Sequence, residues 1–311
     1  MIIQLLLMAA GLGLLTFGAD WLVQGAGTLA RRLNISALVI GLTVVAFGTS
    51  APELVVSLQA AWQNSADVAI GNVIGSNISN ILLVLGVAAL LRPVPVHKGL
   101  FRLDIPALLG SSVLLMAVFA DTTLTRPDSL LLLAGTVLFF WIRISCNQKI
   151  SAPPLVSVEQ HLPRDTSLPK SILLTLTGLA MLLIGANLLI DSALEVAGFM
   201  GWDEGITGLL LIAIGTSLPE LAASVAASLR RESDMLVGGI VGSNIFNTLI
   251  IPGISFLLFP GSAPTIDFAN LWIMLGAGAL LIPLMLTGAH LNRTEGGILV
   301  LCYLGYVWFL L

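Results

Sequence analysis

Two glutamates, Glu53 and Glu220, each directly follow a proline inside stretches that are otherwise almost wholly apolar. A charged group near the centre of a membrane costs at least about 2.5 kcal/mol on insertion scales, so it persists where it faces a polar interior and has a task. Each glutamate comes with oxygen-bearing neighbours at helical spacing. Thr49, Glu53 and Ser57 stand at i, i+4 and i+8, on one helix face, with Ser50 beside Thr49. Thr216, Glu220, Ser224 and Ser217 repeat that pattern, and Ser76 with Asn80 and Ser243 with Asn247 form two further i, i+4 pairs. Every one of these groups can offer oxygen, the donor that hard cations such as Na⁺ and Ca²⁺ take, and Ca²⁺ usually takes about six to eight. The set holds no His or Cys, which argues against zinc or copper. Two protonated acids acting only as interhelical glue are disfavoured, because the glutamates arrive with ligand-type neighbours and not with a Lys or Arg partner.

Pro52 and Pro219 sharpen the pattern. A proline has no N–H, so it frees the carbonyl four residues back, here Gly48 and Gly215, and kinks its helix. At mid-membrane such a carbonyl needs a partner, which a cation or water in a protein-lined cavity supplies.

The elements that must carry these residues are membrane helices. Of 311 residues 57% are hydrophobic and only 10% charged, with mean hydropathy +1.02, whereas soluble domains carry about 25% charged residues. Thirteen Lys and Arg cannot make a nucleic-acid-binding stripe. Windows long enough to cross roughly 30 Å of hydrocarbon fall at 2–29, 36–62, 67–92, 103–120, 128–146, 169–195, 204–229, 234–259, 268–287 and 294–311. The first runs past Asp20 and lacks a positive leader, so it is expected to stay in the mature chain. Positive residues stay cytoplasmic. Twelve of thirteen Lys and Arg fall on one face, that of Arg31, Arg32, Arg230 and Arg231, leaving Arg126 opposite. Both termini are therefore expected outside the cytoplasm and the proline-rich 147–168 linker inside it. Cys146 and Cys302 have no partner spacing and read as membrane packing residues. Trp62, Trp141, Trp202 and Trp308 read as interfacial anchors.

The chain is also internally repeated. Residues 48–80 and 215–247 align at a constant offset of 167 with fifteen identities in thirty-three positions. The register extends to Gly18/Gly185, Gly41/Gly208, Gly86/Gly253 and Pro93/Pro260. A duplicated unit of five helices enters the membrane from opposite sides in its two copies, giving a pseudo-two-fold axis in the membrane plane. The expected fold is thus an all-α integral membrane protein of ten transmembrane helices, with one repeat over 1–146 and an inverted one over 169–311. Gly71, Gly75, Gly238 and Gly242 offer close-packing faces. Asp67 and Asp234 read as helix-opening caps, and Asp20, with Asn187 as its counterpart, as an interhelical hydrogen-bonding group.

The hexapeptides 48–53 and 215–220, each followed at equal distance by Gly-Ser-Asn-Ile-x-Asn, resemble the two alpha-repeats of the calcium/cation antiporter family in its compact prokaryotic sodium/calcium exchanger form. The resemblance covers all ten expected helices. It implies Ca²⁺ transport coupled to Na⁺ by alternating access. It further implies that Glu53 and Glu220 bridge Ca²⁺ and Na⁺, with Thr49, Ser50, Thr216, Ser217, Ser76, Ser243, Asn80 and Asn247 completing the sites. By the same resemblance the carbonyls of Ala46 and Ala213 are Na⁺ ligands. Some branches of the family carry Asp where this chain has Asn247, which removes a negative charge and weakens the case for a potassium-dependent exchanger. No long insert exists to hold a calcium-sensing regulatory domain. Neither a cofactor nor an obligate protein partner is implied. Alternatives are a proton-coupled exchanger using the same glutamates, a passive channel, which typically draws its ligand rings from symmetric subunits, and an intramembrane enzyme. The last lacks a His or Lys in the motifs to activate Ser50 or Ser217.

Overall fold

The computed structural model describes residues 2–96, 100–147, 167–199, 215–286 and 290–310. Its helices are α1 (Ile2–Arg32), α2 (Ala37–Thr49), α3 (Ala51–Trp62), α4 (Ala66–Leu91), α5 (Ile105–Val118), α6 (Arg126–Asn147), α7 (Leu168–Phe199), α8 (Leu218–Leu229), α9 (Ser233–Leu258), α10 (Phe268–Leu286) and α11 (Arg293–Leu310). Four of them, α1, α4, α7 and α9, are long and apolar enough to cross a bilayer, and α2 with α3 make a fifth if the bent pair counts as one. The most apolar windows of α4 and α9 are 78% and 83% buried, against 22% and 28% in α1 and α7. The centre of the molecule is therefore built on α4 and α9, and these are the helices that carry Ser76, Asn80, Ser243 and Asn247.

The expected kink in the second apolar window is present and lies at Ser50, where α2 and α3 meet at 46°. Pro52 sits in the first turn of α3, where its missing N–H costs nothing. Single π-helical turns interrupt α4 at Asn80–Val84 and α9 at Phe246–Ile250. Such turns are rare and frequent at functional sites, and here each holds one of the two candidate asparagines.

Alpha-helix is not the whole of the chain. Four two-residue strands, β1 (Val94–Pro95), β2 (Thr123–Leu124), β3 (Gly261–Ser262) and β4 (His290–Leu291), form two antiparallel ribbons, β1 with β4 and β2 with β3. Val94 pairs with Leu291, and Leu124 pairs with Gly261. Adding 167 to Val94 gives Gly261, and adding it to Leu124 gives Leu291, so each pairing is the image of the other.

The seam between α1 and α7 obeys the same rule. A Cβ added to Gly11 would lie 2.9 Å from the carbonyl oxygen of Gly185, and one added to Gly18 would lie 2.8 Å from that of Gly178. Gly11 and Gly178 are 167 apart, as are Gly18 and Gly185. Backbones this close leave no room for a side chain, which is the use of small residues between membrane helices. The expected glycine face of α9 is also used: a Cβ on Gly238 would meet Leu38 O at 2.5 Å and one on Gly242 would meet Leu42 Cα at 2.7 Å.

Two expectations need correction. Asp67 does not cap α4; its Oδ1 accepts from the backbone N–H and hydroxyl of Thr265, at 2.9 and 2.5 Å, tying α4 to the segment before α10. Cys302 faces outward, along an apolar groove between α10 and α11 that also takes in Leu82 and Tyr306. The expected interhelical hydrogen bond of Asp20 is made: Arg230 Nε donates to its Oδ1, and the two side chains form an ion pair. Trp62, Trp141 and Trp308 are exposed, as interfacial anchors should be, whereas Trp202 and most of the 147–168 linker lie outside the described residues. Among the described residues one oppositely charged pair is buried: Arg143 Nε lies 3.6 Å from Asp104 Oδ1, with the side chains 9% and 0% exposed.

Candidate functional site

The junction of α2 and α3, the start of α8, and the middles of α4 and α9 converge at the centre. Thr49, Ser50, Glu53, Ser76, Asn80, Thr216, Ser217, Glu220, Ser243 and Asn247 are all buried there, as is Ala46. Ala213 lies outside the described residues. The geometry joins the two copies of the motif directly. Ser50 Oγ donates to Glu220 Oε1 at 3.2 Å, Thr49 Oγ1 is 3.4 Å from Ser243 Oγ, and Ser243 Oγ is 3.5 Å from the Ala46 carbonyl oxygen. Glu53 has Glu220, close enough to repel it, and Ser76 as neighbours.

What sets this cluster apart is its unmet hydrogen bonding. Both carboxylate oxygens of Glu53, Oε2 of Glu220, the hydroxyls of Thr216 and Ser217, and the whole side-chain amides of Asn80 and Asn247 are buried without a hydrogen-bond partner. Folded proteins pair the great majority of such atoms, and an isolated buried carboxylate is among the costliest groups to leave unpaired. The oxygens concentrated here can surround a hard cation, whose positive charge also offsets the mutual repulsion of the glutamates. Among the described residues no group of three or more His, Cys, Asp or Glu side chains converges. The centre has two carboxylates, and its other donors are hydroxyl and amide groups.

Sequence reasoning missed Asn72. Its Nδ2 donates to the backbone carbonyl of Glu53 at 3.1 Å and to Ser57 Oγ at 2.9 Å, so α4 grips the helix that carries Glu53. The signal was present, since Asn72, Ser76 and Asn80 stand at i, i+4 and i+8. Its repeat equivalent is Gly239 (72 + 167), however, so a search for matched polar pairs passes over it. Asn72→Ala is expected to lower stability by about 1–3 kcal/mol, because it leaves buried acceptors unsatisfied. A melting curve of the detergent-purified protein checks this, and an unchanged midpoint would remove Asn72 from the site's scaffold.

Asn77 and Asn244 were also missed. They are 167 apart, and Asn244 Nδ2 donates to the carbonyl of Asn77 at 3.2 Å, joining the two copies of the motif.

The chain is similar to known proteins along nearly its whole length. The family model described as sodium/calcium exchanger protein matches residues 3–145 and 170–311. CaxA of Alkalimonas amylolytica is 41% identical over 100% of this chain and 99% of its own. The sodium/calcium exchanger MaX1 of Methanosarcina acetivorans is 30% identical over 98% of this chain and 97% of its own. Among solved structures, the sodium-calcium exchanger NCX_Mj, soaked with zero Na⁺ and Ca²⁺, superposes with a TM-score of 0.86 at 30% identity, covering 100% of this chain and 99% of that one.

Proposed function

Because the chain belongs to the sodium/calcium exchanger protein family, an integral membrane family of transporters, we propose that it is a secondary antiporter moving Ca²⁺ against Na⁺ through one buried site opened alternately to the two faces. The observation that carries this reading is the enclosed set of unpartnered oxygens around Glu53 and Glu220. In the proposal the two glutamates bridge Ca²⁺ and Na⁺. Thr49, Ser50, Ser76, Asn80, Thr216, Ser217, Ser243 and Asn247 complete the ligand set, with the carbonyls of Ala46 and Ala213. Two ionised carboxylates in a low-dielectric site repel strongly. Either one Ca²⁺ or two or more Na⁺ neutralises them, so the two ions compete for the same oxygens. Exchange follows if the empty, doubly negative site does not reorient while either loaded form does.

Two inverted halves are a common plan for alternating access. We assign these to residues 1–146 and 169–311, each of five transmembrane helices, joined by a cytoplasmic linker over 147–168. The exchanged ribbon registers, the reciprocal glycine contacts of α1 and α7 and the two near-equal stretches matched by the family model speak for this division. The Lys and Arg distribution speaks for termini outside the cytoplasm, and the likeness to relatives from Alkalimonas amylolytica and Methanosarcina acetivorans speaks for residence in a prokaryotic plasma membrane.

A proton-coupled exchanger would use the same glutamates, and a flux measurement separates the two. Proteoliposomes preloaded with Na⁺ are expected to take up ⁴⁵Ca²⁺, while Na⁺-free vesicles with an acidic lumen are not. Uptake driven by the proton gradient alone would overturn Na⁺ coupling. Uptake with neither gradient would favour a passive channel.

A further inference from the structure

Besides the buried Asp104–Arg143 pair, a second, partly exposed ion pair among the described residues has no charged equivalent in the other repeat. Arg230, in the hairpin between α8 and α9, places Nε 2.5 Å from Asp20 Oδ1 on α1, with the side chains 24% and 44% exposed. Adding 167 to Asp20 gives Asn187 on α7, and subtracting 167 from Arg230 gives Gln63 in the hairpin between α3 and α4. Where one end of the molecule holds an ion pair, the other end has two neutral amides at the equivalent positions. Gln63 and Asn187 are both exposed, and no hydrogen bond joins them among the described residues.

Two contacts at the centre are one-sided in the same way. Ser50 donates to Glu220, whereas its equivalent Ser217 has no partner for its hydroxyl. Asn244 reaches across to the Asn77 carbonyl, whereas Asn77 Nδ2 turns back to Val73 O in its own helix. The two halves therefore hold different arrangements. In a transporter of inverted repeats the two access states interchange the arrangements of the halves, so a contact made by one half in one state passes to its equivalent in the other.

We infer that the Asp20–Arg230 ion pair is a one-sided latch: it is made in the access state seen here, gives way to the Gln63–Asn187 amide pair in the opposite state, and so biases the resting equilibrium toward the present one. The inference rests on the alternating-access reading above. Arg230 is shared with Glu232, whose carboxyl is pushed up by burial and drawn back by Arg31 and Arg230, with Asp234 nearby opposing them. Asp20→Asn is therefore the cleaner substitution. An exposed ion pair changes an equilibrium by about 1.5- to 5-fold, and the latch is accordingly a bias and not a lock. A ligand or contact shifts a two-state balance only by its differential interaction with the two states, which is what the chemical inequality of the two ends supplies.

The test is the ratio of apparent Ca²⁺ affinities at the two faces of the full-length chain, reconstituted in one orientation. Asp20→Asn and Arg230→Gln are each expected to move this ratio by about two- to fivefold in one direction. The double variant should move it no further than the larger single effect, as shared partners require. Raising inert choline chloride should move the unsubstituted ratio the same way by screening, and Asp20→Glu should leave it in place. Gln63→Arg combined with Asn187→Asp builds a second latch at the other end and should move the ratio oppositely. A ratio unmoved by the substitutions, or single effects that add in full, would overturn the latch. Absence of Ca²⁺ exchange in the unsubstituted chain would instead sink the exchanger reading, and it would be seen before any variant is made.

Discussion

Glu53→Gln and Glu220→Gln are each expected to lower Ca²⁺ exchange by roughly a thousandfold while leaving folded protein in the membrane. The magnitude follows from charge. A pair of unit charges about 4 Å apart is worth about 4 kcal/mol at an effective dielectric near 20, and each 1.4 kcal/mol is a factor of ten in affinity. Glutamine keeps the shape and one oxygen of the side chain it replaces, so the loss reports the charge and not a cavity. Neither carboxylate has a Lys or Arg partner, and the two repel one another. Neutralising one therefore relieves repulsion in the ion-free protein, and the melting temperature should hold or rise. ⁴⁵Ca²⁺ flux and a melting curve on the same preparations separate the two effects. Normal flux in both variants would remove the glutamates from the transport site.

The largest expected effect on folding lies elsewhere, at Asp104 and Arg143. Arg143→Leu leaves the Asp104 carboxylate wholly buried without its counter-charge, which should cost about 3–5 kcal/mol. The double variant Asp104→Leu/Arg143→Leu is expected to recover most of that loss, because replacing both members of a buried ion pair by apolar groups is often neutral or stabilising. The second repeat carries the apolar alternative, for the equivalents of Asp104 and Arg143 at the offset of 167 are Leu271 and Leu310. Melting midpoints of the two variants in detergent would decide it. A double variant no more stable than Arg143→Leu would mean that the pair does more than cancel its own charges.

The site was legible because polar residues stand out against an apolar background and because their spacing survives duplication. Glu53, Thr49, Ser76 and Asn80 each have a matched counterpart, and the structure buries all of them together. Most of the residues that were not legible break the repeat, whereas Asn77 and Asn244 keep it and were hidden because their bond crosses between the two copies. Asn72 has glycine opposite it. Arg230 and Asp20 pair across 210 positions, a relation that helical periodicity cannot express. Asp67 failed as a cap for the same reason, since its partner Thr265 is 198 residues away. Gly18 was visible as a repeat with Gly185, but its role needed a partner helix: only the packed structure shows Gly11 and Gly18 pressed on Gly185 and Gly178. Proline marked the broken helix correctly, though the bend falls at Ser50, because a proline is tolerated in the first turn of the helix that follows the break.

Each of the two small ribbons takes one strand from residues 1–146 and the other from residues 169–311, and the α1–α7 seam is shared in the same crosswise manner. If the chain were cut between the halves, every one of these contacts would become a contact between subunits. The two pieces would meet as a heterodimer whose interface is the present interior of the molecule, with a strand exchanged in each direction. What the covalent connection adds is a fixed one-to-one dose of two partners that already fit, which frees each partner to diverge from the other without losing its mate.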